Sequence, residues 1–414
     1  MNVILNAYAC GPNRGSEIGL GWNYLINLSN YCQIFVITEQ EFKDEILNEL
    51  KKLELKFKPN IYFIDVGGEN IRKICWNQGD WRSYYFYNIW QKRAYQQALK
   101  IISTNKIDII HQLNMIGFRE PGYLWKIKDI PFVWGPVGGL GFIPFSFLKR
   151  FPINNFIFYF IKNFINNLNL YHPRIKKALN RSDLILSATI EGFSILKSMT
   201  NQPVVVFNET GSNILKMNKK KFNFLEHNMF RLIWIGKIYE RKELNLALHI
   251  VSKLLNRFPN IELHIIGDGP GMTKSKILAN KIGIESNCFW YGYKKRDFVL
   301  KTMENMDLLI FTSIDEGTPH VVLESISKGL PVICHDTCGQ GSVVDNKIGF
   351  KVEVINPIHS IKEFEKKISD FIINFKKYQP KMSYECRKKS VEFSWDSKSK
   401  KIFKFYKNIH EGKK

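Results

Sequence analysis

The chain has 414 residues, 45% of them hydrophobic and 24% charged, the balance of a globular protein long enough for two or three domains. That composition excludes a disordered or fibrous chain. Sixty Lys and Arg against 38 Asp and Glu leave a net charge of +22, which either suits an anionic partner or reflects a Lys-rich composition with no bearing on partners.

Short apolar runs alternate with helical patterns along the chain. Met1–Ala7 reads as a strand, Glu17–Ser29 as a helix, and Gln33–Thr38 and Asn60–Val66 as strands. Trp81–Thr104 reads as a long helix. Strand Ile107–His111, helix Glu120–Ile127, strand Phe132–Trp134, helix Pro173–Asn180 and strands Leu184–Ala188 and Pro203–Phe207 follow. After a polar, Lys-rich stretch at Asn213–Asn228, which fits a linker, the alternation restarts. Its elements are strand Arg231–Gly236, helix Glu243–Arg257, strand Glu262–Gly267, helix Thr273–Ile282, strands Cys288–Tyr291 and Leu308–Ser313, helix Val321–Lys328 and strand Pro331–Cys334. This order predicts two doubly wound α/β domains with parallel sheets, facing a cleft. Ligands of such sheets bind beyond the carboxyl ends of strands.

Seven Cys are scattered, without metal-ligand spacing, which suits a reducing compartment. The N-terminus lacks a signal-peptide pattern, and no run reaches the roughly 18 apolar residues that span a bilayer. The expected location is cytoplasmic, at most at the inner face of a membrane. The Phe-rich segment 142–170, with Lys149, Arg150 and Lys162 interleaved, reads either as an amphipathic element on an anionic membrane or as a helix pair packed on the first domain.

Four loops carry candidate chemistry. The first, Cys10–Trp22, follows strand one. Its Gly15 brings a helix N-terminus toward an anion, or merely permits a tight turn. The second, Asp315–Glu324, places Glu316 and Glu324 eight positions apart. Thr318 is a good N-cap and Pro319 a good first helical residue, which leaves the amides of His320 and Val321 for a diphosphate. Both acids can accept hydrogen bonds from hydroxyls, although the pattern also fits an ordinary capped helix. The third, Gly236–Glu243, sets Lys237, Arg241 and Lys242 where cations could neutralise a diphosphate, or form a solvated basic loop. The fourth is His111, directly after a strand, a position more often structural than catalytic. No paired-acid metal loop appears, so neither metal nor cofactor is expected.

In this order, GSEIGLGW (15–22), HQLNMIGFREPGYLW (111–125), PFVWGPVGG (131–139), WIGKIYERKE (234–243), LHIIGDGP (263–270), FWYGYKKRDF (289–298) and DEGTPHVVLESISKGLPVI (315–333) resemble glycosyltransferase family 4, a group of retaining enzymes with the GT-B fold. The last motif matches the family's pair of glutamates separated by seven residues. The resemblance implies an acceptor-side domain at 1–212 and a donor-binding domain at 213–394, with a closing helix at 395–414 that packs back on the first. It implies transfer of a hexose from a nucleoside-diphosphate sugar, UDP- or GDP-linked, to a saccharide or lipid-linked saccharide in surface-glycan assembly. By the same resemblance His111 orients the sugar, Lys237 and Lys242 neutralise the diphosphate, and Glu316 holds sugar hydroxyls. Glu324 holds the ribose, and Gly15, Gly236 and the amides after Thr318 approach the phosphates.

Two positions depart from the family pattern, Lys237 where Arg is usual and Glu243 where Gly is frequent. The other reading carried forward is a non-catalytic nucleotide-sugar-binding scaffold. Nucleic-acid binding is not expected, because no recognisable module is present.

Overall fold

A computed structural model of the chain describes residues 1–68, 71, 82–113, 117–212, 228–317 and 319–412. The first half forms a seven-stranded sheet from β1 (Asn2–Asn6), β2 (Gln33–Glu39), β3 (Asn60–Ile64), β4 (Ile109–Gln112), β5 (Phe132–Val137), β6 (Leu184–Ser187) and β7 (Val204–Val206). Its order is β3-β2-β1-β4-β5-β6-β7, and every pair is parallel. The second half repeats the plan with six strands, β8 (Phe230–Ile235), β9 (Ile261–Ile266), β10 (Cys288–Gly292), β11 (Leu308–Phe311), β12 (Val332–His335) and β13 (Gly349–Val352). Their order is β10-β9-β8-β11-β12-β13, again all parallel. Strands such as β4 and β11 are buried along their whole length, as parallel strands covered on both faces must be.

Helices α1 (Ser16–Leu28), α2 (Lys43–Leu50), α3 (Arg82–Thr104), α4 (Phe145–Leu148), α5 (Ile153–Leu170), α6 (Pro173–Arg181) and α7 (Ile190–Met199) belong to the first half. In the second half are α8 (Leu244–Leu255), α9 (Met272–Lys281), α10 (Arg296–Met303), α11 (His320–Ser327), α12 (Cys338–Val343), α13 (Pro357–Ile373) and α14 (Phe375–Glu392). The last helix, α15 (Trp395–His410), returns to the first domain and buries Trp395, Ile402 and Tyr406 in its core.

Alternation along β8 explains the second core. Phe230, Leu232 and Trp234 face one cluster, and Ile233 and Ile235 the other, the period-two pattern of a strand between two helix layers. Ile143, Phe147, Leu148 and Phe151, from the first half, also join the cluster of Trp234, Leu244 and Phe364. The Phe147 ring lies edge-on to His335 at 5.9 Å. The first half thus lends a segment to the core of the second.

The expected helix over 120–127 is only a 3-10 turn, Leu124–Lys126. Pro121 precedes Gly122, which sits at φ 66, and a Cβ there would come within 2.6 Å of Gln91 Oε1. His111 lies inside β4 rather than after it. Trp81 and most of the 213–228 stretch lie outside the described residues.

Candidate functional site

The strand order turns at β1 and at β8, so crevices open beyond the carboxyl ends of those strands. The loops after β1, β8 and β11 therefore hold the sequence candidates. Of these, the loops after β8 and β11 are joined by hydrogen bonds. Ile314 N–H donates to Arg241 O at 3.0 Å, Thr312 Oγ1 to Lys242 O at 2.9 Å, and Arg241 Nη1 to Asp315 O at 2.6 Å. The β8 loop is braced from its other side. Ile238 N–H donates to Asp268 O at 2.9 Å and Gly271 N–H to Ile238 O at 3.1 Å. Gly267 sits at φ 147, and a Cβ on it would fall 1.8 Å from Gly236 O, so glycine is required for this close approach.

Within this frame the Lys242 ammonium touches Glu316 Oε2, and Arg241 Nη1 stands 3.7 Å from the same oxygen. Burial, then repulsion from Arg241, pushes the Lys242 ammonium down to about 7, with Asp315 opposing. Two cations thus converge on one carboxylate in a largely buried corner. Lys237 is exposed and pairs with no acid among the described residues.

Helix α11 begins at His320, with Pro319 in the cap position instead of the first helical position expected. The Val322 and Leu323 amides reach Pro319 O at 3.0 and 3.2 Å. No hydrogen bond from the His320 or Val321 amide is present among the described residues. Thr318, the expected cap, lies outside them. Desolvation, then the Arg296 and Lys242 cations, holds the His320 imidazole below its ordinary value. Glu324 accepts from Arg296 Nε at 2.6 Å, so a group one turn into the helix is clamped by α10.

Glu243 caps α8 in the left-handed region, φ 51 and ψ 44. Glycine adopts that conformation without the strain a side chain brings. Burial pushes its carboxyl up to about 7, against the opposing Arg150, whose Nη1 lies 3.4 Å away. Gly236 donates its amide to Ile266 O at 3.1 Å, so the sheet already uses that N–H. Gly15 caps α1 with ordinary extended geometry, and a Cβ on it would meet nothing within 4 Å.

The role expected for His111 is corrected here. Its ring is wholly buried, Nδ1 bonded to Tyr406 Oη at 2.5 Å and Nε2 to Gly135 O at 2.8 Å. Burial pulls the imidazole down to about 4. A ring enclosed by α15 and β5 fastens the last helix to the first sheet and presents no atom to the cleft.

Sequence reasoning passed over several contributors. Arg296 lies in a quoted motif, yet nothing in its spacing shows that it reaches Glu324. Lys162 Nζ of α5 approaches Asp315 Oδ2 at 3.4 Å. Cys338 N–H donates to Glu191 Oε1 at 2.7 Å across the two domains. Glu209 lies against Gly317, where a Cβ would be 3.1 Å from Oε1. These are long-range pairings that no local pattern encodes. Among the described residues, no group of three or more His, Cys, Asp or Glu gathers to hold a metal.

Comparison with known proteins agrees with this layout. Residues 216–389 match the family described as Glycosyl transferases group 1. A lipopolysaccharide 1,6-galactosyltransferase of Salmonella typhimurium is 34% identical over 120 residues, 28% of this chain and 33% of that protein. An uncharacterised glycosyltransferase of Methanocaldococcus jannaschii is 29% identical over 169 residues, 37% and 40% of the two chains. The chain thus spans about two fifths or less of the length of these curated relatives. Among solved structures, the lipopolysaccharide outer core galactosyltransferase WaaB superposes over 100% of both chains with a TM-score of 0.64 at 16% identity. Anabaena HepE, solved with UDP and glucose, covers 99% of this chain and 100% of its own, with a TM-score of 0.59 at 13% identity. The architecture is that of the GT-B glycosyltransferases, two Rossmann-like parallel-sheet domains.

Proposed function

We propose that this chain, with the group 1 pattern over residues 216–389 on a full two-domain GT-B frame, is a retaining glycosyltransferase. It moves a hexose from a nucleoside-diphosphate sugar to a saccharide or lipid-linked saccharide acceptor in lipopolysaccharide-type glycan assembly. The observation that carries this reading is the convergence of Lys242 and Arg241 on Glu316, at the loop that opens α11. A diphosphate entering there meets two cations and the first-turn amides of a helix, the charge pattern a leaving phosphate needs. The UDP and sugar in the HepE structures support a nucleotide-sugar donor.

The geometry suggests an exchange of partners. In the free protein Lys242 is held by Glu316. Transfer of the ammonium to the incoming phosphate releases the carboxylate to accept hydrogen bonds from sugar hydroxyls. Glu324, fixed by Arg296, accepts from the ribose. The departing phosphate oxygen takes the acceptor's proton on the same face, so configuration is kept. No protein carboxylate pair of the glycosidase type is required. Positioning and leaving-group stabilisation are the protein's share. Arg241, Lys242 and the helix amides supply positive charge on the protein itself, so the reading includes no metal and no cofactor.

The first test is thermal melting with UDP, GDP, ADP and CDP, each in chelator. A nucleotide at a hundred times its dissociation constant adds about 2.7 kcal/mol. One nucleotide shifting the melt names the donor. Turnover of its sugar conjugate in excess chelator then tests the chemistry. Binding without turnover on any saccharide acceptor would leave only the scaffold reading, and loss of turnover in chelator would refute metal independence.

A further inference from the structure

The first domain carries a helix that is inside out for a water-facing surface. On α5, the outward ridge Ile157, Phe160, Ile161, Phe164 and Leu168 recurs at three- and four-residue spacing. Phe160, Phe164 and Leu168 are 53%, 60% and 57% exposed. The inward face packs Phe156, Tyr159 and Leu170 on the two cores and sets amides among them. Asn166 is buried with Nδ2 on Gly139 O at 3.3 Å, and Asn163 Nδ2 bonds Ile143 O at 3.2 Å. A helix packed on a domain normally shows the reverse polarity, and an apolar patch of this extent marks an interaction site.

We propose that α5 is an interfacial helix that lays this face of the protein on a bilayer of anionic phospholipid. Charge selects this occupant over a second copy of the chain. From Ile130 to Ser182 the sequence has seven Lys or Arg and no Asp or Glu. Two such faces would repel, whereas an anionic surface attracts each cation. Lys149, Lys176 and Lys177 are exposed at the two ends of the ridge. Lys149 and Arg150, just before its first turn, also line a pocket of about 520 Å³ with His249 and the apolar Pro357, Ile358 and Ile361. The 18 residues of α5 extend about 27 Å, and no described helix is long and apolar enough to cross a membrane. The helix therefore lies in the surface plane. Lys162, on the helix flank, reaches Asp315, so the donor loop stands about one helix diameter, 10–12 Å, from the lipid. The proposal does not depend on the donor-site reading.

The test uses the full chain, without nucleotide or acceptor. Co-sedimentation is compared on phosphatidylcholine vesicles and on vesicles with about one third phosphatidylglycerol. Binding to the anionic vesicles is expected to be at least about tenfold stronger and to fall at about 1 M salt. Phe160→Glu/Phe164→Glu should lower it about tenfold or more with a melting curve that moves little, because both rings are more than half exposed. Lys149→Glu/Lys176→Glu should remove the salt-sensitive part. Absence of binding at low salt, equal binding to neutral vesicles, or full binding by the double Phe variant overturns the proposal. So does a dimer in light scattering that the double Phe variant converts to monomer, which assigns the face to a second copy. Nucleotide-induced melting shifts, measured without vesicles, report separately on the donor site.

Discussion

Replacing Glu243 by Gly should stabilise the protein, and by an amount that depends on pH. Glu243 sits at φ 51 with its side chain only 5% exposed, and burial raises its carboxyl from 4.5 to about 7. A rise of about 2.5 at 1.36 kcal/mol each corresponds to roughly 3 kcal/mol of strain in the ionised form. The sign follows from the order of ionisation. Below pH 4.5 the carboxyl is protonated in both states and costs nothing. Between pH 4.5 and 7 the unfolded chain ionises first, so stability falls, and above 7 the full penalty persists. Glycine removes it. Relief of the left-handed conformation gains about 1 kcal/mol, and the extra freedom of glycine in the unfolded chain takes back about the same. Arg150, a third exposed, turns to water at little cost. The net gain is about 3 kcal/mol at pH 8 and near zero at pH 4.5. At about 2–4 °C per kcal/mol for a unit this size, the melting temperature rises by about 6 °C or more at pH 8. Differential scanning calorimetry at both pH values is the assay. A variant no more stable at pH 8, or equally stabilised at both, would refute the account.

Further outcomes are expected at the site and the core. Glu316→Gln and Lys242→Ala should each lower kcat/KM by about 10²-fold or more, measured as nucleoside diphosphate released with acceptor present; unchanged kinetics removes that residue from the mechanism. With Lys242 near 7 in the free protein, diphosphate affinity should fall by up to about tenfold per pH unit above 7, because the neutral amine must take up a proton to bind. Lys242→Arg should flatten that profile, and a flat wild-type titration by calorimetry would count against the assignment. His111, held neutral with its imidazole near 4, favours folding fully above pH 6.5 and loses that contribution as pH falls toward 4. His111→Asn should blunt this acid decline. His111→Asn and Tyr406→Phe should each cost about 1–3 kcal/mol by melting, and together less than their sum, since they break one bond. Additive losses would show that the ring pair is not a unit.

The two-domain frame was legible because buried parallel strands are continuous apolar runs, such as Leu308–Phe311 and Ile109–Ile110, that polarity alone reveals. The helices α10, α13 and α14 were less visible, since charged faces and a proline inside α14 blur the helical period. Residues adjacent in one loop, such as Arg241 and Lys242, could be nominated from local spacing. Pairings set by tertiary packing could not. Arg296 reaches Glu324 from another helix, and His111 looked free for chemistry until Tyr406, 295 positions away, closed over it. At Glu243 the sequence showed only a departure from the family pattern, and the left-handed backbone there came from the structure.

The excursion of residues 143–151 bears on how such proteins can be recombined. Each half is a complete sheet in outline, which invites the exchange of the second half between relatives. In this chain the second half is finished by Phe147, Leu148 and Phe151 of the first. A graft cut at the connecting segment would leave Trp234 and Phe364 bordering a hollow that its new host does not fill. A workable chimera must carry the 143–151 segment along with the second half, so exchange of that half here requires three breakpoints rather than one.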